Sequence, residues 1–395
     1  MSEWVVKNLD EVVEYFIDYR GKTPVKTGSG IPLITAKIVK DGCLQTPTEF
    51  ISVEDYPLWM TRGYPEVNDV VLTTEAPLGE VALIKNKNVA LAQRIITLRG
   101  YKNILDNKFL KYWLQSEQGQ YELESRASGT TVFGIKSSIL KKIPISLPPY
   151  NEQVAISSVL YSIDEKIDLL HRQNKTLESM AETLFKQWFI LDSTGVSVSI
   201  DQIIDFNPKR TLIKSQDATY LDMAGLSTVI FRANGYYRRP FSSGTKFTKR
   251  DTLLARITPC LENGKAAYID FLDDNETGWG STEFIVMRPK KEIHPFISYI
   301  MCRNPDFKEY AESCMEGSTG RQRVNLDHLK KFNVNLPTEA SLRIINELLD
   351  SFESKLINNS KQIDSLEKLR DTLLPKLMSG EVRVQYAEEA IASVA

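Results

Sequence analysis

Cysteine and histidine are scarce in this chain of 395 residues. The four cysteines and three histidines are scattered without the spacing of a disulfide framework or a zinc site, at Cys43, Cys260, Cys302, Cys314, His171, His294 and His328. We therefore expect free thiols, a reducing cytoplasmic location and no bound metal.

Long apolar runs are also missing. No segment approaches the roughly 20 residues that a membrane span needs, and the N-terminal residues carry neither the basic nor the apolar stretch of an export signal. The hydrophobic fraction of 42% and the charged fraction of 25% are typical of a soluble globular protein, and the length suits two domains. A net charge of −2 does not exclude a nucleic-acid partner, because a local basic surface disappears in the sum.

The most informative feature is an internal repeat. Residues 140–148 match residues 329–337, and three further pairs of segments match: 9–13 with 200–204, 69–72 with 251–254, and 79–84 with 264–269. In each copy, short apolar runs broken by Gly, Pro, Asn and Asp predict strands, with a helix near 107–115 and 295–301. The repeat predicts a mixed α+β fold in four segments, namely module 1 (1–149), helix 1 (150–190), module 2 (191–337) and helix 2 with a tail (338–395).

The two predicted long helices carry matching heptad seams. Apolar residues alternate at spacings of 4 and 3 over 156–188 and again over 345–377, which is typical of a coiled coil. Each seam contains one asparagine, and antiparallel pairing about the midpoint places Asn174 opposite Asn359. Parallel pairing in register would leave two buried amides unpaired, at about 1–3 kcal/mol each. We therefore predict an antiparallel pair, with the Arg370 stem packed and its head in solvent.

Basic and aromatic residues alternate in module 2. The segment 232–250 contains six basic residues and no acid, and its DNA-binding candidates are Arg232, Tyr236, Tyr237, Arg238, Arg239, Lys246, Lys249 and Arg250. A turn before helix 2 adds Ser318, Thr319, Arg321, Gln322 and Arg323. Glutamine suits adenine and arginine suits guanine, whereas the simpler alternatives are a solvated charged face and an ordinary turn.

Module 1 offers a different set of candidates. They come from an acid-free stretch over 19–40 and from the turn that corresponds to 317–323. The candidates are Arg20, Lys22, Lys26, Lys37, Thr130, Thr131 and Lys136. Because the arginines of the module 2 turn are missing here, the two modules should recognise different sequences. Antiparallel helices would place the modules at opposite ends of a seam about 48 Å long, roughly 14 base pairs, which predicts a split target with a fixed gap.

Two short motifs suggest enzymes but are incomplete. Gly21-Lys22-Thr23 lacks the earlier glycine of a phosphate-binding loop, where Phe16 stands. Pro148-Pro149-Tyr150 follows Leu147, whereas the amino-methyltransferase motif begins with Asn or Asp. No nucleophile, base and orienting group come together in the sequence. We expect no catalysis by this chain alone and no cofactor.

The segment Leu147-Pro148-Pro149-Tyr150-Asn151-Glu152-Gln153, followed by Ile156, Leu160, Asp164 and Ile167, resembles the specificity subunits of type I restriction-modification systems. The resemblance covers the whole chain, although the second copy at 336–341 lacks the Glu-Gln pair. It implies two pseudo-two-fold-related target-recognition domains, separated by two long antiparallel coiled-coil helices. It also implies double-stranded DNA, methyltransferase subunits and motor-endonuclease subunits as partners, with catalysis in those partners.

Two other interpretations remain open. One is a self-contained DNA methyltransferase or nuclease fragment, which the incomplete motif at Pro148 and the missing cofactor turn disfavour. The other is a non-catalytic protein scaffold, which explains the helices but leaves the duplicated modules unexplained.

Overall fold

The structure is a computed structural model that describes residues 4–129, 133–192, 194–318, 320–382 and 384. The chain forms two compact units: unit 1 comprises Met1–Asp168 with Asp364–Ala395, and unit 2 comprises Leu169–Ile363. Both units contain helices and sheets, as the repeat predicts. None of the described helices is long and apolar enough to cross a membrane.

Unit 1 is organised around a four-stranded sheet. Its strands are β1 (Val5–Asn8), β2 (Val13–Asp18), β3 (Ile31–Ile34), β4 (Val39–Lys40), β5 (Cys43–Leu44), β6 (Phe50–Ile51), β7 (Val70–Thr74), β8 (Leu78–Leu83), β9 (Ala90–Leu91), β10 (Ile95–Gly100) and β11 (Pro144–Leu147). The main sheet has the order β2-β10-β7-β8, and smaller sheets have the orders β6-β3-β9, β1-β11 and β4-β5. Leu98 of β10 pairs with Val70 on one side and Phe16 on the other. All five residues of β7 are buried, which suits its β-branched composition.

Unit 2 repeats this arrangement. Its strands are β12 (Val196–Ser199), β13 (Ile204–Phe206), β14 (Asp217–Leu221), β15 (Tyr237–Pro240), β16 (Thr245–Thr248), β17 (Thr252–Ala255), β18 (Ala266–Tyr268), β19 (Thr277–Gly280), β20 (Phe284–Pro289), β21 (Met315–Glu316), β22 (Arg323–Val324) and β23 (Asn333–Leu336). The order β13-β20-β17-β18 and the pair β12-β23 match unit 1, and Met287 pairs with Thr252 and Phe206. A sheet β15-β14-β19-β16 and the pair β21-β22 complete the unit.

Helices flank these sheets and connect the two copies. They are α1 (Leu9–Val12), α2 (Asp55–Trp59), α3 (Asn107–Gln115), α4 (Glu117–Ser125), α5 (Ser137–Leu140), α6 (Tyr150–Phe185), α7 (Phe296–Arg303), α8 (Pro305–Ser313), α9 (Leu326–Leu329) and α10 (Glu339–Met378). Short 3₁₀ turns lie at Ala36–Ile38, Ile200–Gln202 and Met223–Gly225, and α6 continues into a π-helical turn at Lys186–Leu191. The predicted module helices are confirmed as α3 and α7. The Asp106 side chain caps α3 by accepting the Phe109 N–H at 2.8 Å.

The long helices α6 and α10 contribute residues to both units. In unit 2, the Asn359 side-chain nitrogen donates to the Asn174 side-chain oxygen at 2.8 Å, and both residues are buried. The predicted contact between the two asparagines is therefore present. Ala181 and Leu349 lie in the same apolar cluster.

Arg370 of α10 has more polar contacts than its predicted position in the seam suggested. In unit 1 its guanidinium binds Asp164 of α6 at 3.4 Å and Asp371 at 2.9 Å, with 28% of the side chain exposed. Asp164 also accepts hydrogen bonds from Lys111 and Tyr112 of α3, at 2.6 and 2.7 Å. Part of the Arg370 side chain therefore reaches solvent, but the sequence did not indicate Asp164 as its partner.

Candidate DNA-recognition surfaces

The exposed edge strand β15 carries much of the basic segment of module 2. All four of its residues are exposed, and it pairs antiparallel with β14, with Arg238 opposite Thr219. The Arg238 guanidinium contacts the Asp217 carboxylate at 2.8 Å, the Asp217 backbone oxygen at 3.0 Å and Glu276 at 3.5 Å. These contacts hold the arginine in one orientation, although 61% of its side chain is exposed.

Aromatic rings support the neighbouring candidates. Arg239 lies over the rings of Tyr220 and Trp279, at 4.7 and 5.2 Å from their centroids. Tyr237 packs edge-on against Tyr220 at 5.4 Å. A cation over an aromatic face is held in place while its charge stays available to an anion. Arg239 is therefore suited to a phosphate.

Two further residues of the segment are also held by local partners. The Lys246 ammonium lies 4.9 Å from the Phe241 ring centroid. Tyr236 stacks on Phe271, with 3.9 Å between ring centroids and 6° between planes. Both side chains keep a solvent-accessible part, because Lys246 is half-buried and Tyr236 is 40% exposed.

Three other basic residues of the segment form ion pairs within unit 2. Arg232 binds Asp270 at 2.9 Å with only 12% of its side chain exposed, and Lys249 binds Asp274 at 2.8 Å. Arg250 binds Glu353 of α10 at 2.5 Å. These contacts attach the basic segment to its own unit, and they leave less of each guanidinium or ammonium available to another partner.

The Arg250 network is the most extensive of these. Glu353 is 6% exposed and also accepts the Tyr268 hydroxyl at 2.7 Å, while His294 lies 3.1 Å from the Arg250 guanidinium. Burial lowers the pKa of His294 below its usual value. His294, Asp350 and Glu353 form a group of potential metal ligands. The guanidinium already supplies the positive charge there, so the group fits a cation poorly.

The turn before α9 lies beside residue 257, which follows β17. Ile257 bridges to Arg323, and Arg323 forms a two-pronged ion pair with Glu283 at 2.7 and 3.0 Å. Ser318 and Arg321 are exposed and Gln322 is half-buried. The backbone N–H of Arg321 donates to the Ser318 carbonyl at 2.9 Å. Thr319 lies outside the described residues.

In unit 1 the candidates fall into two groups. The Arg20 guanidinium donates to the Ile135 carbonyl at 2.8 Å, which brings Arg20 to the turn that contains exposed Lys136. Lys26 and Lys37 both face Glu49, at 2.8 and 3.8 Å. The hydrogen bond from Lys26 and the charges of the two lysines lower the pKa of Glu49. Lys22 is exposed, and Thr130 and Thr131 lie outside the described residues.

Sequence reasoning missed Arg303, which organises a loop of unit 2. Its guanidinium donates to the carbonyls of Gly264 and Ile230 at 2.7 and 3.0 Å and to the Tyr299 hydroxyl at 2.9 Å. Tyr299 in turn donates to Glu178 of α6 at 2.7 Å. Burial raises the pKa of Glu178 to about 7. Tyr299 lies in the helix of unit 2 that corresponds to the helix with Tyr112 in unit 1, but the repeat did not indicate these partners.

Two mixed α/β units of one topology, with exposed basic residues in both and aromatic rings beside them in unit 2, are typical of a protein with duplicated nucleic-acid-recognition modules. A family model, the "Type I restriction modification DNA specificity domain", matches residues 1–179 and again 194–368. The chain therefore belongs to this family and is a DNA-specificity subunit of a type I restriction-modification system.

Individual relatives agree with this assignment. The chain is 25% identical to the type I restriction enzyme MjaIX specificity subunit of Methanocaldococcus jannaschii, over 97% of this chain and 94% of that protein. It is 26% identical to the EcoEI specificity subunit of Escherichia coli, over 48% of this chain and 34% of that protein. The crystal structure of a type I S subunit from M. genitalium shares the fold, with a TM-score of 0.57 and 18% identity over 95% of this chain and 96% of that one.

Proposed function

We propose that each unit reads one half of a bipartite DNA target and that this chain catalyses no reaction itself. The recognition domains would comprise residues 1–149 and 191–337, with helical segments at 150–190 and 338–395. The single observation that carries this proposal is the duplicated topology with different side chains on the two copies. Unit 2 presents Arg238 and Arg239 on an edge strand, whereas the candidates of unit 1 are mainly lysines. Two copies that share a fold and differ in donors are suited to two different half-sites.

We propose further that α6 and α10 pair antiparallel as a coiled coil, which sets the gap between the half-sites. The contact from Asn174 to Asn359 in unit 2 and the contact from Asp164 to Arg370 in unit 1 support this, because the α6 numbers fall as the α10 numbers rise. A buried polar pair in an apolar seam also specifies one register.

The same helices are proposed to dock the methyltransferase subunits. In unit 2, the side chains of Met180 and Leu348 are 48% and 40% exposed. They line a groove with a cavity volume of about 720 Å³ together with Phe352 and Arg172. An apolar groove with a basic rim is typical of a protein-docking surface. Methylation of adenine and ATP-driven cleavage then belong to the partner subunits, and the complex acts in the cytoplasm on the DNA found there.

The test is to co-express the chain with its methyltransferase partner and to map methylated adenines along the host DNA. We expect one bipartite motif with a fixed gap. Exchanging residues 191–337 for those of another family member should change one half of the motif only, and the reciprocal exchange of 1–149 should change only the other half. Methylation of a continuous motif would contradict two separate readers, and a soluble complex without any methylation would favour the scaffold interpretation.

DNA binding should also depend strongly on salt. Each phosphate contact releases counterions, so affinity falls steeply as salt rises, whereas a protein scaffold would show no salt-sensitive DNA binding. Titrating a fluorescent duplex that carries the mapped motif, at 50 and 200 mM salt, distinguishes these two outcomes.

A further inference from the structure

We propose that Arg238 is a specificity-determining residue that reads one guanine in the half-site of unit 2. This inference rests on the proposed function and assigns one base contact within it. It depends on the position of β15, on the donors that Arg238 has left, and on the charge around it.

The position suits a DNA groove. β15 is the edge strand of the four-stranded sheet β15-β14-β19-β16, and all of its residues are exposed. Proteins that read DNA with β-sheets place strands in a DNA groove. Arg238 lies on this exposed edge strand.

The donors of Arg238 are partly used and therefore oriented. A guanidinium has five N–H groups. Nε and one terminal nitrogen donate to Asp217, and the other terminal nitrogen donates to Glu276. Among the described residues, one N–H on each terminal nitrogen has no acceptor, and a pair of terminal N–H groups can bind the O6 and N7 acceptors of guanine together. Because the side chain is already fixed, less rotamer entropy is lost on binding than for a free arginine.

The surrounding charge favours a base over a phosphate. Arg238 borders a polar cavity of about 420 Å³ that is also lined by Asp217, Asp273, Asn275 and Glu276. The three carboxylates repel a phosphate but accept a hydrogen bond from an amino group such as N4 of cytosine. A G·C pair presents both the acceptors for Arg238 and a donor for the acids. Arg239 has aromatic neighbours instead, and it suits the backbone.

The experiment compares methylation motifs of the reconstituted complex with Arg238→Gln, Arg238→Lys and a matched control. The control is Arg126→Gln, because Arg126 is also partly exposed and also bound to a carboxylate, Glu122, but directly follows α4 and is not one of the DNA-binding candidates. We expect both Arg238 variants to lose preference for guanine at one position of the unit 2 half-site, by about 5- to 150-fold. The other half-site and the Arg126→Gln motif should be unchanged. Lysine keeps the charge but has no paired donors, so it should not rescue.

The outcomes separate this inference from the proposed function. If the wild-type complex methylates a bipartite motif and the Arg238 variants keep it, or if they weaken methylation equally on all sequences, Arg238 is an ordinary ion pair or a phosphate contact. The inference is then overturned while the proposed function stands. If the wild-type complex yields no bipartite motif, the proposed function fails and this inference fails with it. Thermal denaturation of each variant identifies any that do not fold. In that case Asp217→Asn provides a second variant, and it should weaken the preference for guanine at the same base position less than the Arg238 variants do.

Discussion

Replacing Asn359 by leucine is expected to destabilise unit 2 by about 1–3 kcal/mol. Asn359 is 1% exposed and Asn174 is 8% exposed, and one hydrogen bond of 2.8 Å joins their amides. The substitution leaves the Asn174 oxygen in the seam without this donor, and such a buried group costs roughly that much. For a domain of this size, the loss corresponds to a fall in melting temperature of about 2–12 °C.

The double variant Asn174→Leu with Asn359→Leu distinguishes pairing from simple loss of polarity. Because both amides are then replaced by apolar groups of similar size, the double variant should be close to the wild type in stability. The two substitutions should therefore couple by about 1–3 kcal/mol in a double-mutant cycle.

The assay is thermal denaturation followed by circular dichroism, with hydrogen exchange to localise the change to 169–185 and 345–363. The neighbouring Asn358 is exposed, so Asn358→Leu is a matched control and should change stability little. If the double variant is as unstable as the sum of the two single variants, the amides are not coupled and the reasoning on register is refuted.

Two further predictions concern buried carboxylates of unit 2. Glu353→Leu should destabilise the unit by about 3 kcal/mol in urea denaturation, because Arg250 and Tyr268 lose their acceptor. As a control, replacement of the exposed Glu347 on the same helix should have little effect. Equal effects of the two substitutions would contradict a role for the buried pair. Burial raises the pKa of Glu178 from 4.5 to about 7, so its contribution to stability is fully present below pH 4.5 and is lost as the pH rises through 7. In the wild type, ionisation of Glu178 should lower the free energy of unfolding by roughly 3 kcal/mol between low and high pH. Glu178→Gln cannot ionise, so it should not show this fall. Urea midpoints at pH 4.5 and 8 test this, and an unchanged pH slope in the variant would count against the raised pKa.

Features set by local periodicity could be predicted from the sequence. The repeat predicted two copies of one fold, and the strand orders β2-β10-β7-β8 and β13-β20-β17-β18 agree with it. The heptad spacing located the long helices because apolar positions 3 and 4 apart fall on one helical face. The two asparagines were informative for the same reason, since each interrupts an otherwise apolar seam.

The sequence also determined which chemistry is available, namely basic and aromatic segments, but not which charges stay exposed. Arg250 stood in an acid-free stretch, yet its partner Glu353 lies 103 positions along the chain. Arg370 interrupts an apolar seam in the sequence, and the fold places it beside Asp164, 206 positions away. Only the tertiary structure decided these pairings, because an ion pair depends on distance in space and sequence separation does not limit it. The tertiary structure likewise places Arg238 between Asp217 and Glu276, with two N–H donors left for a ligand.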